Sequence, residues 1–446
     1  MKTWNQLFIQ HGWLLQEKEE NVFDCKNETE INLEFLIQCL ERANARYLLE
    51  NRLLTLLSPA VTDEQWLDAV DFEFRGRAGY WFDPGIDQPK VHELDPYISG
   101  VVRQLNRLGF FTAGSCDGHG ERNAHVVVTK ESKIEFLMEL LIALGFEKIH
   151  VRENRQHFYL GFHYERRELL RLAGKLSLVK EDWLEDGIEF IKERLFHSLL
   201  SELLEIPGVS GEEELVRNYV IEKLSPFVDH VTVDRAGNIL AEKIYRGGNG
   251  PVVLLNAHLD TVIEFAQGRK IIQDGNKWSS SKGILGADDR AGVAVLLHLA
   301  EFLPQSSFNG KVKFIFTVEE ECGLVGARLV DDYFLWGIDA AIVVDRRGKG
   351  DIVTSCGGSV SFCHENYGAF FEKVAVNEGL DGWKMTQGGS SDTRIWAEHG
   401  IQSINLSVGY MNEHTEDEFL DVEACYETVK LLEGVFGKGR DFRMVL

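Results

Sequence analysis

The sequence predicts two domains: an N-terminal α+β domain over residues 1–190, and an α/β domain over 191–446 with a mostly parallel sheet and helices on both faces. Three observations predict this. The chain has 446 residues, about three times the ~150-residue prior for one domain. After Gly211 short apolar strands alternate with helical patterns, as βαβ units require. Before that point helix and strand patterns mix without such regularity.

The elements follow in order. Over residues 30–70 the apolar spacing is helical, as in Ile31-Asn-Leu-Glu-Phe-Leu-Ile-Gln-Cys-Leu40, and a Gly/Pro-bearing segment over 76–89 interrupts it. A helix near 97–108, a strand over 125–129, a helix near 134–144 and strands over 148–152 and 158–162 complete the first domain. A long helix over 183–204 runs into Ile206-Pro-Gly-Val-Ser-Gly211, where Pro and two Gly stop it. Helices are then expected over 215–224 and 291–303, and strands over 238–243, 252–256, 312–318, 340–344 and 404–408.

Composition narrows the function. Apolar residues make up 44% and charged residues 26% of the chain, which fits a globular protein and not a disordered one. Lys and Arg number 47 against 71 Asp and Glu, so the net charge is 47 − 71 = −24. That surplus repels phosphate backbones and anionic lipid, so no nucleic-acid or membrane partner is expected. The segment from Met1 to Phe8 lacks the basic-then-apolar pattern of a leader, and no run approaches the ~18 to 20 apolar residues of a span, so a cytoplasmic location is expected. The seven cysteines are scattered and form no disulfide framework; reduced thiols are the natural reading.

In an open parallel sheet, chemistry sits just beyond the carboxyl ends of the strands. Metal-type ligands fall there. Val252-Val-Leu-Leu-Asn-Ala-His258-Leu-Asp260 ends in a His followed two residues later by an Asp, which can fix the imidazole tautomer. Taken alone, this is an ordinary strand end with a capping Asp. Gly286-Ala-Asp288-Asp289-Arg290-Ala-Gly292 opens an apolar helix, where acidic residues are common because the exposed N–H groups favour them. The strand over 312–318 runs into Glu319-Glu320-Glu321-Cys322-Gly323. Carboxylates there would repel one another unless a dication relieved them or water solvated the turn. Asp345 ends another strand, and His414 follows the last. Each is weak alone, but their order at successive strand ends is hard to obtain by chance.

With Leu203-Leu-Glu-Ile-Pro-Gly-Val-Ser-Gly-Glu-Glu213, Val233-Asp-Arg-Ala-Gly-Asn238, Ala257-His-Leu-Asp-Thr-Val262, Gly286–Gly292, Glu320-Glu-Cys-Gly-Leu-Val-Gly-Ala327, Asp345, Gly388-Gly-Ser-Ser-Asp392 and His414, the chain resembles the dizinc exopeptidase superfamily. That superfamily includes peptidase T, carboxypeptidase G-type enzymes, aminoacylases and tetrahedral aminopeptidases; the resemblance covers about residues 195–446. It implies that His258 and Asp345 hold one metal, Glu321 and His414 another, and that Asp288 bridges them. Asp260 would orient His258, and Glu320 would be the general base. The implied cofactors are two divalent ions, zinc first and cobalt or manganese next. The implied activity is hydrolysis of peptide bonds at the ends of short peptides. An N-acyl amino acid deacylase or other amidohydrolase is the alternative, and a non-catalytic binding member the second alternative. Oligomeric state is left open.

Further candidates are weaker. Arg346, Arg347 and Arg394 can pair with a substrate carboxylate, although solvated surface arginines are the ordinary reading. Asp392 can shape the rim, Asp289 can cap its helix, and Tyr367, Tyr410 and His364 are candidate oxyanion donors set against packing roles. Only 414 − 345 = 69 residues separate Asp345 from His414, and 288 − 258 = 30 separate His258 from Asp288. Neither interval holds the inserted domain of lidded relatives. In the N-terminal domain, whose role the sequence does not assign, Cys116-Asp-Gly-His119 has the spacing of half a zinc site. No second Cys/His pair follows nearby, so a structural turn is expected.

Overall fold

The computed structural model describes residues 2–72, 75–76 and 89–446; the interruption expected over 76–89 falls, for 77–88, outside the described residues. The chain divides into compact units of residues Met1–Lys192 and Glu193–Leu446.

The N-terminal unit holds two four-stranded antiparallel sheets. The first comprises Gln16–Glu19, Val22–Asp24, Tyr47–Glu50 and Leu53–Leu56. It departs from the helix expected across 30–70, of which Glu30–Arg42 and Asp63–Val70 are helical. Between them Asn51 and Arg52 both take positive φ (50° and 63°), the two-residue turn that matches strand twist, and a hairpin results. Trp4, Phe8, Trp13, Phe23 and Trp66 pack as an aromatic core here, with Trp4 and Trp66 edge to face at 5.6 Å. The second sheet, Thr112–Cys116, Ala124–Thr129, His157–Phe162 and Ile149–Glu153, accompanies helices Ser99–Arg107, Ile134–Ala143 and Arg166–Leu178. Arg103 on the first of these helices donates to both oxygens of Glu28 at 2.9 Å, with both side chains buried. The long helix begins at Ile188 rather than near 183, because Gly187 at φ 90° breaks it from the short 3₁₀ turn Asp182–Glu185.

The C-terminal unit is built on a nine-stranded sheet. Its four central strands, in the order Gln402–Ser407, Ala340–Arg346, Val252–His258 and Gly310–Thr317, are parallel. The expectation of a mostly parallel sheet describes this centre and the edge pair of Asp351–Cys356 with Lys384–Gly388, while the other pairings are antiparallel. Ile239–Tyr245 and His230–Val233 add antiparallel strands on one side, and Asp351–Cys356 runs antiparallel to Gln402–Ser407 on the other. Direct chain reversals are short enough to make such edges, and apolar content alone does not mark strand direction.

Alternation along the strands fills two cores. Val253, Leu255 and Ala257 face one side with Ile342, Val344, Phe314 and Phe316, under Val293 and Leu296 of the helix Ala287–Phe302. Leu254, Ile315, Ala341 and Val343 face the other side with Ile395 and Trp396 of the helix Asp392–Glu398. The sheet is thus covered on both faces, and its parallel strands end together at one edge. Between Asp345 and His414 the strands Asp351–Cys356, Val360–Ser361, Lys384–Gly388 and Gln402–Ser407 all join this sheet. Between His258 and Asp288 the hairpin Ile271–Asp274 and Lys277–Ser280 pairs with Phe419–Asp421 in a separate small sheet. No helix among the described residues is long and apolar enough to cross a membrane.

Candidate metal centre

The ends of the central strands deliver the ligands. Parallel pairing sets His258 opposite Thr317, one residue before the turn that carries Glu319, Glu320 and Glu321. Asp345 is the penultimate residue of the neighbouring strand Ala340–Arg346. Asp288 opens the helix Ala287–Phe302, which can lie close to the sheet because Gly292 has no side chain: a Cβ there would sit 2.0 Å from the Val344 carbonyl.

Two triads result, and they share one residue. His258, Asp288 and Asp345 form one group, and Asp288, Glu321 and His414 the other, with the ligand atoms of each within 4.8 Å of one another. Asp288 divides its oxygens between them: Oδ1 lies 3.1 Å from His258 Nε2 and Oδ2 3.1 Å from His414 Nε2. Asp345 Oδ1 is 3.7 Å from His258 Nε2. Glu321 Oε1 is 2.8 Å from His414 Nε2 yet lacks hydrogen-bond geometry. Two donor atoms aimed at a common point, not at each other, have this relation.

The electrostatics match that arrangement. Burial opposes protonation of His258, but hydrogen bonds to Asp260 and Asp288 raise it well above the ordinary imidazole value. The Asp288 hydrogen bond raises His414 to about 9. Burial, with Asp392, Asp288 and Glu321 nearby, pushes Glu320 up to about 8 against the pull of His258. Burial and the charges of Asp288 and Glu320 raise Asp345 as well. Burial works against the charge of Asp288 too, but hydrogen bonds to His258 and His414 hold it well below the usual carboxylate range, and carboxylates crowded in this way are a charge that a dication would relieve. The donor set, imidazole nitrogen and carboxylate oxygen with no thiolate, suits zinc and its first-row neighbours.

Asp260 is the hub behind the ligands. It is 0% exposed. Its Oδ1 lies 3.3 Å from His258 Nδ1 and accepts the Glu320 N–H at 2.9 Å. Its Oδ2 accepts from Glu321 N–H at 3.1 Å and Ser210 Oγ at 2.7 Å. Burial works against its charge, but the His258 contact and these donors hold it at about 2. One carboxylate thereby fixes the imidazole and the turn bearing Glu320.

Asp289 is buried and accepts from His258 N–H at 3.1 Å and Gly292 N–H at 3.0 Å, so it caps the helix and ties it to the strand end. Asn238, in the Val233–Asn238 segment, accepts from Val318 N–H at 3.0 Å and donates to the Gly326 carbonyl at 2.9 Å, which braces the glutamate turn.

Other expected residues have different settings. Asp392 is not on an open rim: it is 2% exposed and accepts from Thr317 Oγ1 at 2.5 Å, and burial pushes it up to about 6. Its place after Gly-Gly-Ser-Ser suggested a loop, but it starts a helix packed on the sheet. Arg346, Arg347 and Arg394 each pair with a carboxylate of the chain, Asp351 at 3.0 Å, Glu413 at 2.7 Å and Glu398 at 2.9 Å. Tyr367 is a core residue whose hydroxyl donates to the Ala341 carbonyl at 3.3 Å, so it is no oxyanion donor. Tyr410 donates to Asp345 Oδ1 at 2.9 Å and supports a ligand instead. His364 is exposed at the start of the helix Glu365–Asn377.

Sequence reasoning missed Glu418 and Arg290. Glu418, 2% exposed, accepts backbone N–H groups from Leu285, Gly286, Ala287 and Asp288. Arg290, fully buried, donates to the carbonyls of Leu259 and Ile206. Both act between segments far apart in the chain.

Two candidate ligand triads that share an aspartate, on an α/β sheet covered on both faces, form the arrangement that the sequence resemblance implies. Comparison with known proteins finds a likeness in the same unit: the M42 glutamyl aminopeptidase family model matches residues 265–431. Cytosol non-specific dipeptidase of Escherichia coli is 28% identical over 235 residues, 49% of this chain and 47% of that protein. The chain therefore spans about half the length of that relative. Lysyl aminopeptidase of Pyrococcus furiosus is 27% identical over 29% of this chain and 31% of its own length. Among solved structures, aminopeptidase PepT from Bacillus cereus aligns with a TM-score of 0.51 at 18% identity, covering 56% of this chain and 99% of that one. That alignment is a likeness of fold.

Proposed function

We propose that the C-terminal unit is a two-metal exopeptidase acting on short peptides, of aminopeptidase or di- or tripeptidase type. The observation that carries this reading is the pair of triads meeting at Asp288, one oxygen to each. His258 and Asp345 would hold one ion and Glu321 and His414 the other, with Asp288 shared by the two groups. Bound there, two divalent ions, zinc by the donor set, supply Lewis acidity and lower the pKa of water.

The chain's own residues do the rest. Glu320 belongs to neither triad, yet its neighbour Glu321 is a ligand and its backbone is fixed by Asp260. It is placed to take the proton from the attacking water and pass it to the leaving amine. Asp260 keeps His258 in the tautomer whose Nε2 faces the ligands. Tyr410 holds Asp345 in the same way. Names of relatives that specify dipeptides and lysyl aminopeptides support a peptide substrate cut from one end.

The test is a panel of dipeptides, tripeptides, aminoacyl-nitroanilides and N-acyl amino acids, each assayed with the chain loaded with zinc or cobalt and again after chelation. Hydrolysis of peptides or aminoacyl amides that chelation abolishes and metal restores is the expected result. Turnover of N-acyl amino acids alone would replace this reading with a deacylase, and no turnover on any class after reconstitution would overturn it.

A further inference from the structure

The N-terminal unit brings a second, separate set of metal-type donors together. Asp95, Cys116 and His119 have ligand atoms within 4.8 Å of one another. Cys116 Sγ lies 3.7 Å from His119 Nε2. Two ligands at about 2.0 to 2.3 Å from a tetrahedral ion are themselves about 3.5 Å apart, so this separation needs only small side-chain shifts.

The surroundings point the same way. Asp95 is 2% exposed, and its buried Oδ1 has no hydrogen-bond partner, while Oδ2 is engaged by the Asp117 N–H at 2.9 Å. Leaving a buried carboxylate oxygen unmatched is costly unless something else meets it. Gly76 keeps that oxygen clear, since a Cβ there would lie 2.0 Å from it. The Gly118 N–H donates to Cys116 Sγ at 3.3 Å, but burial and the charges of Asp95 and Asp117 push the thiol up overall, so a bound cation is what would hold it as thiolate. Asp117 Oδ1 is 3.4 Å from His119 Nδ1, and its Oδ2 is clamped by Arg166 at 2.5 Å. A carboxylate behind one ring nitrogen is how ligating imidazoles are oriented, and it leaves Nε2 for the ion. A turn alone accounts for the positive φ of Gly118, His119 and Gly120 but not for the orphaned Asp95 oxygen.

We propose that Asp95, Cys116 and His119 bind one divalent transition metal of the zinc type, with Asp117 as the orienting carboxylate. Thiolate, imidazole and carboxylate together select zinc or cobalt over magnesium or calcium. A cavity of about 370 Å³, lined by Asp71, Arg75, Asp95, Pro96, His119 and Arg166, adjoins the donors. Three protein ligands beside such a space leave a fourth position for water or a small ligand, unlike the closed four-ligand sites that only brace a fold.

The site can be read apart from the strand-end centre, whose ligands include no thiolate. Full-length protein stripped of metal is titrated with cobalt(II), and the near-ultraviolet thiolate-to-cobalt charge-transfer band is followed. The band should reach the amplitude of one thiolate-bound cobalt per chain once cobalt is in excess of all sites, vanish in Cys116→Ser, and persist in Cys322→Ser, which removes the thiol beside Glu321. His119→Gln alters an exposed side chain and should weaken the cobalt affinity read by this band by at least about tenfold. The absence of the band in wild-type protein, its survival in Cys116→Ser or an unchanged affinity in His119→Gln would each overturn the proposal.

Discussion

Glu418 holds Asp288 in place through the backbone: its two carboxylate oxygens accept the N–H of Asp288 at 3.3 Å and those of the three preceding residues at 2.8 Å. A carboxylate so used makes the start of the helix Ala287–Phe302 a fixed platform for the residue shared by both triads. Glu418→Ala would leave these buried N–H groups without acceptors, at a cost of about 2 to 4 kcal/mol. Denaturant unfolding should register that loss together with weaker metal retention on dialysis. Glu418→Gln keeps one acceptor oxygen and should fall between.

Glu320 and Glu321 are adjacent but should fail differently. Glu320→Gln is expected to reduce kcat by 10²- to 10⁴-fold, the usual range for a lost general base, with both metals retained by elemental analysis. Glu321→Gln and His414→Ala should lose activity and also release one metal per chain. Retention of more than about a tenth of the rate in Glu320→Gln would remove it from the base role.

Tyr410→Phe deletes a single hydroxyl behind Asp345. Removal of such a support typically weakens a metal by about 10- to 100-fold. The effect should appear as a lower chelator concentration needed to release one of the two ions, with the second ion unaffected.

His11 gives the N-terminal unit a pH dependence. It is 2% exposed, and its Nδ1 lies 3.2 Å from the Pro96 carbonyl. Burial, aided by the Arg75 charge, lowers it from 6.5 to about 3. The unfolded chain therefore binds a proton that the folded one does not. Its contribution is intact above pH 6.5 and is lost as pH falls from 6.5 toward 3, at up to about 1.4 kcal/mol per unit. Urea midpoints measured at about pH 7.5 and about pH 5 should diverge more in wild-type protein than in His11→Asn, which cannot titrate.

The central strands were legible because full burial on both faces leaves uninterrupted apolar runs, as in Val252–Leu255 and Ile342–Val344. Among the candidate ligands His258 and Asp345 close such strands, whereas the roles of Asp288, Glu321 and His414 were read from the family resemblance. What the sequence did not disclose is action at long separation. Glu418 sits in an ordinary acidic stretch, and Arg290 reads as a helix-start charge. The hairpin at Asn51 and Arg52 was hidden because Leu48, Leu49, Leu53, Leu54 and Leu56 fit helical spacing as well as strand alternation. Cys116 and His119 read as half a site because their third partner, Asp95, lies on an earlier segment across a helix.

The parallel register that sets His258 beside Thr317 also decides which sequence changes this unit can survive. In a strand, side chains alternate between faces with period two, so inserting or deleting one residue between Val252 and Ala257 would turn His258 away from Asp288 and drive Leu254 and Leu255 into each other's cores. Evolution can vary the loops beyond the strand ends freely, but the strands tolerate substitution and not a change of length. In this fold a lineage keeps the two triads together for as long as it keeps the sheet.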